Sequence, residues 1–219
     1  MNTIRMIQTV AFAATLALAG SAAADTVKPT GWVGNNGSVN VAGHGSAAAG
    51  EFKINWDGGS FNAFCVELEQ TISFGGTYTD YVEWTPTQMG LSNPQIGLIY
   101  SLFQKHYGES QNSPMNAAAF QSSIWEIVKD GNGALDIYND NFKLIGGTPP
   151  DAASTAQGWL GTLNPNTAAN GWSFAFLHSP TNQDLIVITS VPEPESWALM
   201  LAGLGLLVAS GRRRLSRMS

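Results

Sequence analysis

Apolar and polar residues alternate with a period of two in several short segments, which is the pattern of half-buried β-strands. The clearest case has apolar side chains at Phe52, Ile54 and Trp56, followed by an Asp-Gly-Gly-Ser turn. Residues 30–50, rich in Gly, Ala, Ser and Asn, alternate only weakly and fit an edge strand or a loose loop. The period of two predicts further strands at 61–72, 78–84, 172–177 and 184–191.

The period changes to that of a helix in the middle of the chain. A first helix is predicted from Asn93 to Gly108, with an N-cap, a proline in its first turn and a closing glycine. A second begins at Ser113 in the same way and runs to about Lys129. Residues 152–160 add about one helical turn. This order predicts an α+β fold: an antiparallel β-sandwich or barrel with a small helical insert, plus a C-terminal single hydrophobic helix.

The two ends of the chain differ from its middle. Residues 1–24 have one Arg, an apolar run and an Ala-Ala-Ala end, which predicts a signal peptide cut before Asp25. Residues 197–210 form an apolar stretch of about 21 Å as a helix, shorter than the roughly 30 Å of a hydrocarbon core. Four arginines follow, and such positive charge retains a terminus in the cytoplasm. The stretch therefore predicts a membrane contact before processing, with the body, residues 25–190, outside.

The charge of the body limits its partners. Between residues 25 and 191 the chain has five lysines against 14 acidic residues, a net charge of −9. An acidic body argues against binding of nucleic acid or of anionic membrane surfaces. We interpret the charge as a means of keeping an exported protein soluble.

The C-terminal segment 191–219 carries a recognisable address. It has Val-Pro-Glu-Pro-Glu, a short apolar run and a basic cluster, and from Val191 to about Arg214 it resembles the PEP-CTERM sorting signal. The residues that carry the resemblance are Pro192, Glu193, Pro194, Arg212, Arg213 and Arg214. The resemblance implies processing by an exosortase in Gram-negative bacteria that make extracellular polysaccharide. The mature protein would leave the inner membrane for the cell surface or the extracellular matrix, whereas an ordinary C-terminal anchor is the alternative.

Cys65 is the chain's only cysteine, and Gln121 lies on the apolar arc of the second helix. A lone thiol in an exported chain is either a small buried hydrophobe or a reactive group. A glutamine on a buried face needs partners for its amide, since leaving it unpaired costs about 1–3 kcal/mol. Cys65 alternates with Phe64 on the predicted strand, so it is expected on the face opposite the main apolar residues.

Phe64-Cys65-Val66 and Gln121-Ser122-Ser123-Ile124-Trp125 resemble the two motifs of the thioester domains of bacterial surface adhesins. The resemblance implies an internal thioester between Cys65 and Gln121, surrounded by Phe64, Phe120 and Trp125. Phe120 stands where that family has Thr. The bond would react once with a surface amine or hydroxyl, or with extracellular polysaccharide, and would give a covalent tether rather than turnover.

Other interpretations of these residues remain open. Cys65 and Gln121 are alternatively a plain core cysteine and a hydrogen-bonded glutamine, in a structural or polysaccharide-associated biofilm matrix protein without a reactive bond. A hydrolase with Cys65 and His106 lacks a nucleophile motif. A base for bond formation would be His44, His106 or His178. The seven tryptophans would also suit a sugar-binding platform, although core packing, together with the position of Trp197 in the C-terminal segment, explains most of them equally well.

The sequence predicts no metal, cofactor or catalytic residues. One cysteine and three scattered histidines lack the spacing of metal ligands. Residues 130–133, Asp-Gly-Asn-Gly, hint at a calcium loop, but the next acidic positions do not fit, and we interpret them as a helix stop and turn. The expected protein is thus an exported, non-enzymatic surface or matrix protein, an adhesin if the thioester forms.

Overall fold

The computed structural model of the chain describes residues 24–148 and 151–189. The predicted signal peptide, the hydrophobic helix at 197–210 and the sorting segment lie outside these residues, apart from Ala24. The strands are β1 (Asp25–Val41), β2 (Gly45–Trp56), β3 (Gly59–Cys65), β4 (Tyr78–Trp84), β5 (Leu144–Thr148), β6 (Ser173–His178) and β7 (Leu185–Thr189). The helices are α1 (Asn93–Ser110), α2 (Pro114–Asp130) and α3 (Ala152–Leu160).

All seven strands belong to one antiparallel sheet with the order β2-β3-β7-β6-β4-β1-β5. An additional pairing joins β1 to β2, so six of the strands form a closed ring and β5 extends from β1. The α+β prediction is therefore confirmed, and of the two architectures it allowed, the barrel is the one formed. Closure leaves few unpaired strand edges.

Residues 30–50 form strands rather than a loose loop, and their β2 part, Gly45 to Gly50, is an edge because it pairs with β1 but not with β3. They supply most of a long hairpin in which β1 pairs with β2 from Val27↔Trp56 to Val41↔Gly45. Register shifts after Pro29 and after Trp32 bend this hairpin, so that its two ends pair with different strands. The base of β1 pairs with β4 and its far end pairs with β5.

The predicted strand 61–72 is wrong in its second half, because β3 ends at Cys65. The last inter-strand type of hydrogen bond is donated by the Val66 N–H to the Asp184 carbonyl at 2.9 Å. The Glu67 carboxylate then accepts the N–H of Gln70 at 2.9 Å and folds the chain into a turn. Apolar and polar residues continue to alternate in the sequence after Cys65, but the hydrogen bond from the Gln70 N–H to the Glu67 carboxylate turns the chain away from the strand direction.

The helical insert follows the predicted pattern with small corrections. Helix α1 is capped by Ser92 rather than Asn93, through a capping box in which Gln95 Oε1 accepts the Ser92 N–H at 2.9 Å. Helix α1 also continues past Gly108 to Ser110. The N-cap of α2 is Ser113, as predicted, and residues 152–160 form the helix α3.

An aromatic core joins the barrel to the helices. Phe103 of α1 is at its centre, with ring centroids 4.5–5.7 Å from those of Phe64, Tyr107, Phe120, Trp172 and Phe174. Helix α2 is covered on all sides from Ala117 to Ile127, so that Ser122, Ser123 and Glu126, opposite its apolar arc, are also buried. A helix buried all round is a fixed platform for any side chain that it carries.

Candidate functional site

Helix α2 places Gln121 in the interior of the protein. The Ser113 hydroxyl caps the helix by accepting the Asn116 N–H at 3.1 Å, and Pro114 occupies its first turn. Seven residues later Gln121 is completely buried. Its amide therefore has to find its partners within the protein.

Both ends of the Gln121 amide are bonded to the main chain of Cys65. The Cys65 N–H donates to Gln121 Oε1 at 3.1 Å, and Gln121 Nε2 donates to the Cys65 carbonyl at 2.8 Å. The register of β2 with β3 ends at Phe52↔Ala63, so β2 no longer covers the main chain at Cys65. The glutamine side chain thus occupies the position of a strand partner.

This arrangement also has a chemical consequence. A hydrogen bond from a main-chain N–H polarises a carbonyl and stabilises negative charge that develops on its oxygen during attack. The bond from Nε2 orients the amide nitrogen, which would be the leaving group. The contacts hold the carboxamide against the residue that carries the only thiol of the chain.

Cys65 is buried, with 8% of its surface exposed, although it is on the strand face opposite Phe64. Both faces of β3 are covered at this point, so a position opposite the main apolar residues does not expose the side chain. Burial raises the pKa of the Cys65 thiol above its ordinary value, and the negative charge of Glu67 adds to the rise. Both effects favour the protonated thiol over the thiolate.

Cys65 lines a cavity of about 430 Å³ whose wall comes from the hairpin of β1 and β2, from α2, from the loop after β3 and from the loop before β7. The aromatic and aliphatic part of the wall consists of Trp32, Ala47, Ala48, Phe52, Leu68, Ile72, Phe74 and Trp125. The polar part consists of His44, Ser46, Gln70, Thr71, Ser73 and Gln183. The wall contains no Asp, Glu, Lys or Arg.

The three aromatic residues predicted around the thioester have different environments. Trp125 lines the cavity, and its buried indole N–H has no acceptor among the described residues. Phe64 and Phe120 pack on each other with ring centroids 5.1 Å apart, in the aromatic core rather than in the cavity wall. Their packing fixes the strand and the helix that carry Cys65 and Gln121.

Of the three candidate histidines, His44 lines the cavity with Cys65. His106 contacts Thr162 Oγ1 at 3.0 Å and stacks on Trp159. The Nδ1 atom of His178 lies 2.9 Å from a carboxylate oxygen of Asp184. These partners give His106 and His178 a structural role. The contacts of His106 are with Thr162 and Trp159 and not with Cys65, so they do not support a hydrolase that pairs Cys65 with His106.

Sequence patterns missed most of the cavity wall. Leu68, Ile72 and Phe74 looked like strand or turn residues, whereas they form a loop beside Cys65. Trp32 is far from this loop in sequence, yet its ring centroid is 5.1 Å from that of Phe74. Among these wall residues, Phe74 stands out from an ordinary core residue by its 43% exposure, and exposure cannot be read from a sequence.

Residues 130–133 form the helix stop and turn that the sequence predicts. Helix α2 ends at Asp130, and the Gly131 N–H donates to the Ile127 carbonyl at 3.0 Å. The Asp130 carboxylate accepts the Phe142 N–H at 2.7 Å, which ties the next loop to the helix end. Within residues 24–148 and 151–189, His, Cys, Asp and Glu form no group of three that could hold a metal ion.

Comparison with known proteins supports the sorting signal at the C-terminal end of the chain. Residues 190–214 match the family described as the PEP-CTERM protein-sorting motif. The recognition of this signal is therefore confirmed, and the motif implies export to the cell surface or the extracellular space, with processing by an exosortase. Among the described helices, none is both long and apolar enough to cross a membrane.

The body is also similar, at low identity, to a solved structure. This is the N-terminal domain of the pilus tip adhesin Cpa of Streptococcus pyogenes, with 16% sequence identity and a TM-score of 0.46. The alignment covers 80% of this chain and 97% of the adhesin domain. A search of curated proteins found no match.

Proposed function

We propose that this exported protein stores an internal thioester between Cys65 Sγ and the Gln121 acyl carbon and uses it once to couple to a nucleophile on a surface or in a matrix. The observation that carries the proposal is the pair of hydrogen bonds that hold the Gln121 amide against Cys65 in a buried site. The role is that of a covalent adhesin, without turnover.

Formation of the bond balances without an added reagent. Cys65 Sγ attacks the Gln121 acyl carbon, the carbon–nitrogen bond breaks, and the amide nitrogen leaves as ammonia. The thiol proton ends on that ammonia, so a protonated resting thiol supplies the hydrogen that the leaving group needs. The Cys65 N–H, 3.1 Å from Oε1, stabilises the negative oxygen during attack.

The surroundings favour survival of the bond until a partner arrives. Thioesters hydrolyse when water reaches the acyl carbon, and Gln121 is completely buried. The route of access that we propose is the cavity that Cys65 lines, whose wall includes the exposed Phe74. An incoming nucleophile therefore meets the bond from one side, with His44 in the same wall as a candidate proton acceptor.

A second function is supported by the same contacts. Gln121 has both amide atoms hydrogen-bonded, which satisfies a buried glutamine without any covalent chemistry. Burial of the thiol is also typical of a structural cysteine. The alternative is a non-covalent matrix protein, structural or polysaccharide-associated, in which this pair closes a gap in the barrel.

The intact mass of the full exported protein, purified without amines or reductants, separates the two functions. A thioester gives a deficit of one ammonia. Treatment with methylamine removes the deficit and adds the amine at Gln121, where peptide fragmentation locates it.

Two variants serve as controls. Gln121→Glu and Cys65→Ala abolish the deficit, whereas Gln104→Glu, at an exposed glutamine on α1, retains it. A full mass together with a thiol that titrates in freshly unfolded protein refutes the covalent function and leaves the structural one.

A further inference from the structure

The cavity beside Cys65 is unusual in an acidic protein because its wall has no charged Asp, Glu, Lys or Arg side chain. The nearest acids along the loop are used elsewhere. The Glu67 carboxylate accepts main-chain N–H groups of Glu69 and Gln70, and Glu69 forms an ion pair with Lys129. A ligand in the cavity therefore meets aromatic faces and neutral polar groups.

Three aromatic rings stand together in this wall. The centroids of Trp32 and Phe74 are 5.1 Å apart, and those of Phe52 and Phe74 are 6.2 Å apart. Phe74 is 43% exposed, whereas Phe52 is buried beneath it. An exposed aromatic side chain above a cavity is suited to the apolar face of a ring-shaped ligand.

Neutral hydrogen-bonding groups surround these rings. Gln183 Nε2 donates to the Glu67 carbonyl at 2.9 Å and Gln70 Nε2 donates to the Pro180 carbonyl at 3.0 Å, which leaves both amide oxygens as acceptors. The hydroxyls of Thr71 and Ser73 belong to the same wall. Amide oxygens and hydroxyls beside aromatic rings match a ligand with hydroxyl groups around an apolar ring.

An amine nucleophile fits this cavity less well. A lysine-type amine has a pKa of about 10.4, so at pH 7 its reactive neutral form costs about 4–5 kcal/mol to reach. Its charged form would enter without a carboxylate partner, which carries a desolvation penalty. A sugar hydroxyl is neutral in the form that enters and reacts.

On the premise that the Cys65–Gln121 thioester forms, we propose that its nucleophile is a hydroxyl of a neutral sugar, so that the protein becomes esterified to a polysaccharide. The hydroxyl oxygen attacks the Gln121 acyl carbon, and the carbon–sulfur bond breaks. The hydroxyl proton ends on Cys65 Sγ, and the product is an ester with a free thiol. Burial, which raises the pKa of that thiol, favours the protonated product.

The test uses the full exported protein and begins with its ammonia deficit. Without the deficit the proposed function fails, and the sugar proposal fails with it. With the deficit, the protein is incubated separately with a mixture of neutral glucose, mannose and galactose oligosaccharides, with Nα-acetyl-lysine, and with methylamine. We expect a sugar adduct that hydroxylamine releases, as it does esters and not amides, formed at least about tenfold faster than the acetyl-lysine adduct. Equal or faster reaction with acetyl-lysine, or no sugar adduct, overturns the sugar proposal and leaves the thioester intact.

A matched pair of variants tests the cavity itself. Phe74→Ala removes the exposed ring and should slow the sugar reaction about tenfold, the effect of one lost stacking contact, while methylamine reacts at the wild-type rate. Tyr138→Ala is the control, because Tyr138 is 42% exposed and lies outside the cavity wall. An equal loss of both reactions in Phe74→Ala, or the same loss in Tyr138→Ala, overturns the assignment of this cavity.

Discussion

Replacement of Cys65 by Ala should reveal a cross-link through its effect on stability. A Cys65–Gln121 bond closes a loop between residues that are 56 positions apart. Loop closure of this length removes entropy from the unfolded chain that is equivalent to about 4 kcal/mol at 25 °C. The bond from the residue 65 N–H to Gln121 Oε1 is present in both proteins, whereas the Gln121 nitrogen has left the cross-linked wild type as ammonia, so the variant regains the bond from Nε2 to the residue 65 carbonyl, worth about 1 kcal/mol.

Loss of the buried sulfur alone is a smaller perturbation. A change from Cys to Ala in a core costs about 1–2 kcal/mol through lost burial and the cavity that remains. With the cross-link added and the regained hydrogen bond subtracted, the expected loss of unfolding free energy is about 4–5 kcal/mol. For a domain of this size each kcal/mol changes Tm by about 2–4 °C, so the expected decrease in Tm is at least about 8 °C.

Thermal unfolding followed by tryptophan fluorescence measures this difference at a pH near 6, where aminolysis is slow. Wild-type protein opened by methylamine is the second comparison, because it keeps the sulfur, loses the loop closure and differs otherwise only by the methylamide at Gln121. A decrease in unfolding free energy of less than about 2 kcal/mol in Cys65→Ala, together with an ammonia deficit in the wild type, would show that the loop-closure reasoning is wrong. The same small decrease without the deficit identifies a plain core cysteine.

Three further predictions concern the scaffold. Gly97→Ala should lower the unfolding free energy, measured by urea denaturation, by about 1–3 kcal/mol or more, because its Cβ would be 1.9 Å from the Pro165 carbonyl oxygen. Gly108→Ala is the control, since it has open space at its Cβ and should be neutral or stabilise the protein by up to about 1 kcal/mol. Equal effects of the two substitutions would refute the steric cause. Ser113→Ala should cost about 1 kcal/mol through loss of the α2 N-cap, whereas Ser113→Asp should restore most of it, and no difference between the two would argue against capping. Burial raises the pKa of Glu126 to about 7 from an unfolded value of about 4.3, so between these pH values the folded state keeps a proton that the unfolded state has lost. The stability of the protein should therefore fall as pH rises from about 4.3 to 7. Glu126→Gln should reduce this dependence in unfolding midpoints measured across pH, and an unchanged dependence would contradict the assignment to Glu126.

Features set by local or periodic interactions could be predicted from the sequence. The α2 cap at Ser113 depends on neighbouring residues, and the strands around Trp56 and Trp84 follow from alternation. The helical period placed Gln121 on a buried face, where it lies. The sorting motif is also a linear pattern, so its recognition needed no fold.

Features that depend on contacts between distant residues could not be predicted. A barrel differs from a sandwich only by the pairing of β1 with β2 alongside β4, and alternation is the same in both. The end of β3 depended on the Glu67 carboxylate, which folded back onto its own loop instead of continuing the strand. Similarly, no local signal distinguished His44, which lines the cavity, from His106 and His178, which have partners of their own.

The sequence by itself determined where this protein is sent and which two side chains are candidates for its chemistry. Only the tertiary structure decided that Gln121 meets the main chain of Cys65, at 2.8 and 3.1 Å, and that an uncharged cavity opens beside them. The physical reason is that sorting signals and helix faces are encoded by neighbouring residues. A contact across 56 positions exists only after strand pairing and helix packing have fixed both ends, and β2 must leave β3 at Ala63 for Gln121 to take its place.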